Sequence, residues 1–247
     1  MIGVMSAEPS YRGSPSFTEH LGRNRQYLRD MILGVNDGLV SMLLLVAGVV
    51  GGGLSARNVL LTGIAGAIAG AVSMASGEYM ATKTQEEVFQ GELALEREHI
   101  RDFHEAELHE MSDLLRGIGV DGPLREELVA HLGADDEALL KAMTALEFGV
   151  VETERRSPYR AMWMSGGLFL LGSLPSVVPF AFASSAVRGL LIASIGAVVG
   201  LLVVGAVRTW ATRGQPLRAA FENLFVAAGG GGLAYGIGVL FDHLVNG

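Results

Sequence analysis

The chain contains no cysteine, which excludes disulfides, thiolate metal sites and cysteine nucleophiles. Its only lysines are Lys83 and Lys141, so nearly all its positive charge is arginine, a bias that suggests a GC-rich bacterial genome. Charge as a whole is scarce. Of the 247 residues 18% are charged, against roughly 25% in an average soluble domain. The balance is acidic, with a formal net charge of −8, which argues against a nucleic-acid partner. Neither a P-loop nor a G-x-S-x-G elbow occurs, so nothing supports ATPase or serine hydrolase chemistry; no enzymatic activity and no resident cofactor are expected. The opening residues, MIGVMSAEPSYRGSPSF, lack the apolar centre of a secretory signal. Residues 1–20 read as a disordered leader, and 21–30 (LGRNRQYLRD) as a basic, amphipathic lead-in.

What is abundant is apolar sequence, and it is clustered. Five stretches, 31–56, 58–82, 161–187, 189–207 and 219–241, carry at most one charge each: Asp37, Glu78, none, none and Glu222. Each is near the roughly 20 residues that cross a bilayer core as a helix. The expected fold is therefore all-α: a polytopic membrane protein with five transmembrane helices. A helical insert, residues 84–156, separates helices 1–2 (residues 21–83) from helices 3–5 (residues 157–247). Glycine and alanine crowd the second and fifth stretches, which allows close helix approach in lipid. Pro175 and Pro179 are expected to kink the third. Basic residues orient the chain. Arg23, Arg25 and Arg29, then Lys83, Arg155, Arg156 and Arg160, then Arg208, Arg213 and Arg218 all fall on one side of a five-span topology, while Arg57 and Arg188 stand alone on the other. The N-terminus and the insert are thus expected in the cytoplasm and the C-terminus outside, with the chain in a bacterial inner membrane.

The insert carries 19 acidic and 7 basic residues. Its first helix is expected to continue from span 2 to about Arg101. Asp102 with Glu105 fits an N-cap and an acid at N3, starting a second helix that ends near Gly117. Asp121-Gly-Pro123 opens a third, stopped at Gly133. Residues 134–136 open a fourth, running through DEALLKAMTALEFGVVETE.

Ionisable side chains inside spans are functional candidates by default, which singles out Asp37, flanked by Gly34, Asn36 and Gly38, and Glu78. Met74 lies four residues before Glu78, on the same helix face; Met80 follows. A thioether beside carboxylates suits a borderline ion such as Fe²⁺ rather than Mg²⁺ or Ca²⁺. Burial raises a carboxyl pKa, so Glu78 is also a candidate proton carrier. The insert offers Glu86, Glu87, Glu92, Glu96, Glu98, His99, Glu105, Glu107 and Glu110. Glu96, His99, Glu107 and Glu110 share one narrow helical face. On a straight helix Glu96 and Glu110 would stand about 21 Å apart, so either several sites exist or the chain bends near 102–104. Met143 and Glu147 form a further i, i+4 pair. Carboxylate, imidazole and thioether together suit Fe²⁺ or Mn²⁺ and admit Zn²⁺ or Co²⁺. Glu96-Arg-Glu-His99 matches half of a di-iron motif, but no second copy occurs.

Three stretches, ILGVNDGLVS (32–41), AGAVSMASGEYMATKTQEE (69–87) and ALEFGVVE (145–152), resemble the vacuolar iron transporter family, which includes yeast-type vacuolar iron and manganese transporters and nodulin-21-like proteins. The resemblance covers about residues 20–245. It implies a homodimer whose spans 1 and 2 line a path, exporting Fe²⁺ or Mn²⁺ from the cytoplasm in exchange for protons. It implies Asp37 and Met74 as membrane metal ligands, and Glu96, Glu107, Glu110, Met143 and Glu147 as ligands in the insert. The sequence departs from the plant members at three places. His99 stands for a glutamate, Thr144 for a second methionine, and Gly66 for a membrane glutamate found in some of them; Glu78 is then the candidate for proton coupling. The alternative reading is a membrane-anchored metal sensor or store that transports nothing.

Overall fold

The computed structural model describes residues 24–147, 149, 156–212 and 216–246. The leader expected over 1–20 lies outside these. The described residues are helical apart from short turns and connections, with no strand among them. The order is α1 (Asn24–Gly51), α2 (Ala56–Asp102), α3 (His104–Gly117), α4 (Pro123–Gly133), α5 (Asp136–Glu147), α6 (Pro158–Val177), a 3-10 turn (Val178–Ala181), α7 (Ala186–Thr212) and α8 (Pro216–Asn246). Five of these helices, α1, α2, α6, α7 and α8, are long and apolar enough to cross a membrane. The protein is an all-α, polytopic integral membrane protein.

α1 is the hub, packing against α2, α6, α7 and α8. With α7 and α8 it encloses Leu39, Leu43, Ala197, Leu201, Val204 and Ala227. With α2 and α6 it encloses Met42, Ala67, Ala71, Phe169 and Val177. Lipid gives apolar side chains no reason to prefer a helix interface, so close backbone approach carries the association. Gly172 on α6 shows this. A β-carbon there would run into the Val35 carbonyl of α1, and one on Gly38 would meet the Phe169 carbonyl of α6. Neither neighbour is a flexible side-chain end, so the helices would have to separate. Gly172→Ala is expected to destabilise the protein by about 1–3 kcal/mol, read as a lower thermal midpoint in detergent. Gly167→Ala, on the open side of α6 with nothing within 4 Å, is the matched control and should leave the midpoint unchanged.

The turn from α1 to α2 is tight. Gly53 adopts φ +75°, which favours glycine, and the Ser55 hydroxyl accepts the Asn58 amide at 3.4 Å to cap α2. α2 then runs 47 residues, about 70 Å, more than twice a hydrocarbon core of roughly 30 Å. Its first half is apolar enough to cross; its second half joins α3, α4 and α5 around Ile100, Met111, Leu115, Leu139, Leu140 and Met143.

Several boundaries differ from expectation. The helix breaks at Phe103, but Asp102 is not the N-cap of α3. It is the last residue of α2, and its carboxylate accepts the Arg101 guanidinium at 2.7 and 2.9 Å. Phe103 takes the cap position with no side-chain bond to α3, and Glu105 and Glu107 occupy that helix's first turn, favourably placed against its dipole. The apolar stretch 161–187 is not one helix. α6 passes Pro175, yields to the 3-10 turn containing Pro179, and α7 begins at Ala186. Arg188, expected in a connection, lies in the first turn of α7, with its guanidinium donating to the Ser184 hydroxyl at 2.7 Å. α5 ends at Glu147, and Gly149 has φ +63°, which cannot continue a helix. The rest of the expected fourth insert helix, at 148 and 150–154, lies outside the described residues.

Candidate functional site

Two groups of side chains stand out, one between the spans and one in the insert. The first is a cleft of about 390 Å³ between α1, α2 and α6. Asp37, Ser41, Met42 and Leu45 line it from α1, Gly66, Gly70, Ser73 and Met74 from α2, and Phe169 from α6. The antiparallel α1–α2 pair brings Asp37 and Met74, 37 residues apart in sequence, to one space. Asp37 is the one ionisable group among the described lining residues, and its Oδ1 accepts the Ser41 hydroxyl at 2.7 Å. The α2 wall packs closely: a β-carbon on Gly66 would meet the side-chain ends of Leu45 and Met42, and one on Gly70 would strike the Phe169 ring. Gly66 therefore lines the same cleft as Asp37, so its lack of a carboxylate leaves the cleft with a single acid. A hard carboxylate opposite a soft thioether, with two serine hydroxyls, is a donor set for a borderline divalent ion.

Glu78 shares a helix with Met74 but does not line that cleft. Its Oε1 lies 3.5 Å from the Arg156 guanidinium, which also grips Asp30. Met80 is exposed. Ser41 and Ser73 escaped the sequence reading, although Ser41 closes the ILGVNDGLVS motif one helical turn beyond Asp37. Asp30 and Arg156 escaped it as a pair.

The second group depends on the break at Phe103. By turning the chain there, α3 folds back along α2, and Glu96 and Glu107 come together in the interior, 6% and 5% exposed. Oε1 of Glu96 and Oε2 of Glu107 are buried without a hydrogen-bond partner. Unpaired buried carboxylate oxygens are costly unless a cation or proton satisfies them. The electrostatics agree. Glu96 is pushed up to about 7, first by burial, then by Glu107, Glu147 and Glu110, with His99 opposing. Glu147 is raised by burial, then by Glu110, Glu107 and Glu92. Residues from α2, α3 and α5 therefore feel one another's charge, as a shared site requires. His99 Nδ1 lies 3.5 Å from Glu107 Oε1.

The other expected ligands are less uniform. Glu110 and Glu147 are exposed at the rim. Met143 is wholly buried in the apolar cluster beneath. Thr144, where the sequence departs from a second methionine, donates its hydroxyl to the Leu140 carbonyl at 2.7 Å. Among the described residues, no three His, Asp or Glu side chains close on one point as a finished cage. Of the remaining acids, Glu87 faces Lys83 at 3.6 Å, Glu86 accepts the Gln90 amide at 3.1 Å, and Glu98 and Glu105 are exposed.

A five-span α-helical bundle with an acid and a thioether in one interhelical cleft, and an acidic helical insert after its second span, defines a class of polytopic membrane proteins. The sequence pattern of the VIT family matches residues 28–239, and the chain belongs to that family. Similar proteins include vacuolar iron transporter 1 of Arabidopsis thaliana, 28% identical over 88% of this chain and 87% of that one. Vacuolar iron transporter 2 of Oryza sativa subsp. japonica is 30% identical over 86% of each. The vacuolar iron transporter of Acanthamoeba castellanii is 30% identical over 88% of this chain and 80% of that one.

Proposed function

We propose that this chain is a divalent metal transporter that moves Fe²⁺ or Mn²⁺ out of the cytoplasm across a bacterial inner membrane, in exchange for protons and as a homodimer. The observation that carries the reading is the shared cleft of Asp37 and Met74 between the first two spans. A sensor or store has no need of an ionisable side chain there, and such a group is expensive in lipid. The relatives' names, vacuolar iron transporter, support iron as the substrate class. The arginine distribution supports an insert on the cytoplasmic side, with the C-terminus outside. The insert gathers cations. Its buried Glu96 and Glu107, with Glu110, Glu147 and His99 nearby, form a negative site that concentrates a divalent ion. Metal passes from there to Asp37 and Met74; protonation of Asp37 or Glu78 from the far side weakens the hold and releases it.

Purified protein in proteoliposomes is expected to accumulate Fe²⁺ and Mn²⁺ faster with an opposing proton gradient than without one. Saturable binding in detergent with no flux in either condition would return the protein to the sensor or storage reading.

A further inference from the structure

Arg156, just before α6, is largely buried, its side chain 11% exposed, between carboxylates from two helices. Its Nη2 contacts Asp30 on α1 closely and Glu78 on α2 at 3.5 Å. Asp30 is 2% exposed and takes a second, looser contact from Arg29 at 3.3 Å. The Arg156 guanidinium also lies 5.7 Å from the centre of the Tyr27 ring, with that of Arg160 at 5.8 Å. Its Nε is buried without a partner.

The location gives these contacts their meaning. Asp30 is seven residues before Asp37, about two turns away on nearly the same face of α1, roughly 10 Å along the axis. Glu78 is one turn from Met74 on the corresponding face of α2. Asp37 with Met74, and Asp30 with Glu78, are thus successive levels of the same two helices, the second nearer the insert. Arg156 occupies the second level as a cation belonging to the chain. A buried ion cluster is poor evidence for stability, since apolar side chains of similar size usually hold a fold as well or better. The two partners are also unevenly buried, Asp30 at 2% and Glu78 at 18% exposure, so the first contact is shut away from an incoming ion and the second is open to one.

We propose that Arg156 is a positioning residue for transport. Anchored on Asp30, it holds Glu78 closed at the insert-side end of the Asp37–Met74 cleft, and an incoming divalent ion must displace it from Glu78 to pass. This rests on the transport reading above.

The test is the half-saturating Mn²⁺ concentration for flux in proteoliposomes, for the wild-type protein, Arg156→Gln and Arg156→Lys. Removing the competing cation in Arg156→Gln is expected to lower half-saturation about tenfold, the weight of one charge-assisted hydrogen bond. Arg156→Lys keeps the charge but ends one bond short of the Nη2 that makes both contacts, so it should hold Glu78 less well, give a smaller fall in the same direction, and decide the matter if Arg156→Gln does not fold. A merely structural arginine would change the maximum rate and leave half-saturation alone. Unchanged or raised half-saturation in the folded variants overturns the proposal. Absence of flux in the wild-type protein overturns the transport reading itself, and the proposal with it.

Discussion

Asp37→Ala is expected to reduce metal flux in proteoliposomes to that of empty vesicles, with the protein still folded. Among the described residues Asp37 is the only acid lining the cleft, fixed through the Ser41 hydroxyl at 2.7 Å. A divalent ion entering that space leaves its water and needs a hard anionic ligand in return. Even two unit charges 4 Å apart attract by about 4 kcal/mol at an effective dielectric constant of 20, or roughly a thousandfold in an equilibrium constant; a divalent ion gains more. Neutral neighbours cannot replace this. Met74 is a soft ligand, the serine hydroxyls carry no charge, and Met42, Leu45 and Phe169 are apolar. Met74→Ala should therefore weaken flux less than Asp37→Ala, and with a bias among metals, harming Fe²⁺ more than Mn²⁺. Asp37 is half-buried, so its removal should leave the thermal midpoint nearly unchanged. Normal flux in Asp37→Ala, with the midpoint preserved, would remove the cleft from the transport path.

The spans were legible in the sequence because a helix that faces lipid must be apolar for about 20 residues, and little else has that property. Their ends were less legible. In 161–187 composition does not change where α6 stops. α6 gives way to a 3-10 turn at Val178, the residue before Pro179, and Ser184 and Ser185 accept hydrogen bonds from Arg188 at the start of α7, yet all of these read as part of the same run. Distance left two alternatives for the acidic helix, several sites or a bend near 102–104, since Glu96 and Glu110 cannot meet on a straight rod; the structure has the break, at Phe103. The cap of α3 was not legible, because Arg101 engages Asp102, and a local cap pattern cannot weigh such a rival. Site residues divide in the same way. Helical spacing correctly marked Met74 and Glu78 as sharing a face, yet one lines the cleft and the other pairs with Arg156. That difference is set by a partner from the other side of the insert: Arg156 and Asp30 are 126 residues apart. Likewise Met143 and Glu147 share a face of α5, but Met143 is fully buried while Glu147 is exposed. Periodicity gives direction around a helix and says nothing of depth. The burial of Glu96 and Glu107 needed both the bend and the packing of α5, and only the three-dimensional structure supplies them.

Metal binding by the insert should depend steeply on pH, with Glu96 as the main cause. Its folded pKa of about 7 lies above its ordinary 4.5, chiefly through burial, so the folded chain holds this proton more tightly than the unfolded one. In the absence of metal, the stability associated with that proton is fully present below 4.5 and is lost as pH rises through 7. The metal-free thermal midpoint should accordingly fall between about pH 5 and pH 8. Binding runs the other way. Below 7 a proton competes for the same oxygens, so Mn²⁺ affinity should drop about tenfold per pH unit while one proton is displaced per ion, and level off above 7. Added Mn²⁺ should raise the midpoint most at the alkaline end, where it replaces the lost proton. Glu147, raised in the same direction, steepens the dependence. Glu96→Gln keeps the shape and removes the titration. It should flatten the metal-free stability profile, make the metal-free protein more stable at pH 8, and weaken Mn²⁺ binding most at that pH. Glu96→Ala with Glu107→Ala should weaken binding further. Calorimetric titration and thermal unfolding of the whole chain in detergent read both halves. An affinity that stays constant across the window would mean that the ion does not use Glu96, and that its burial serves only the packing of α2 against α3.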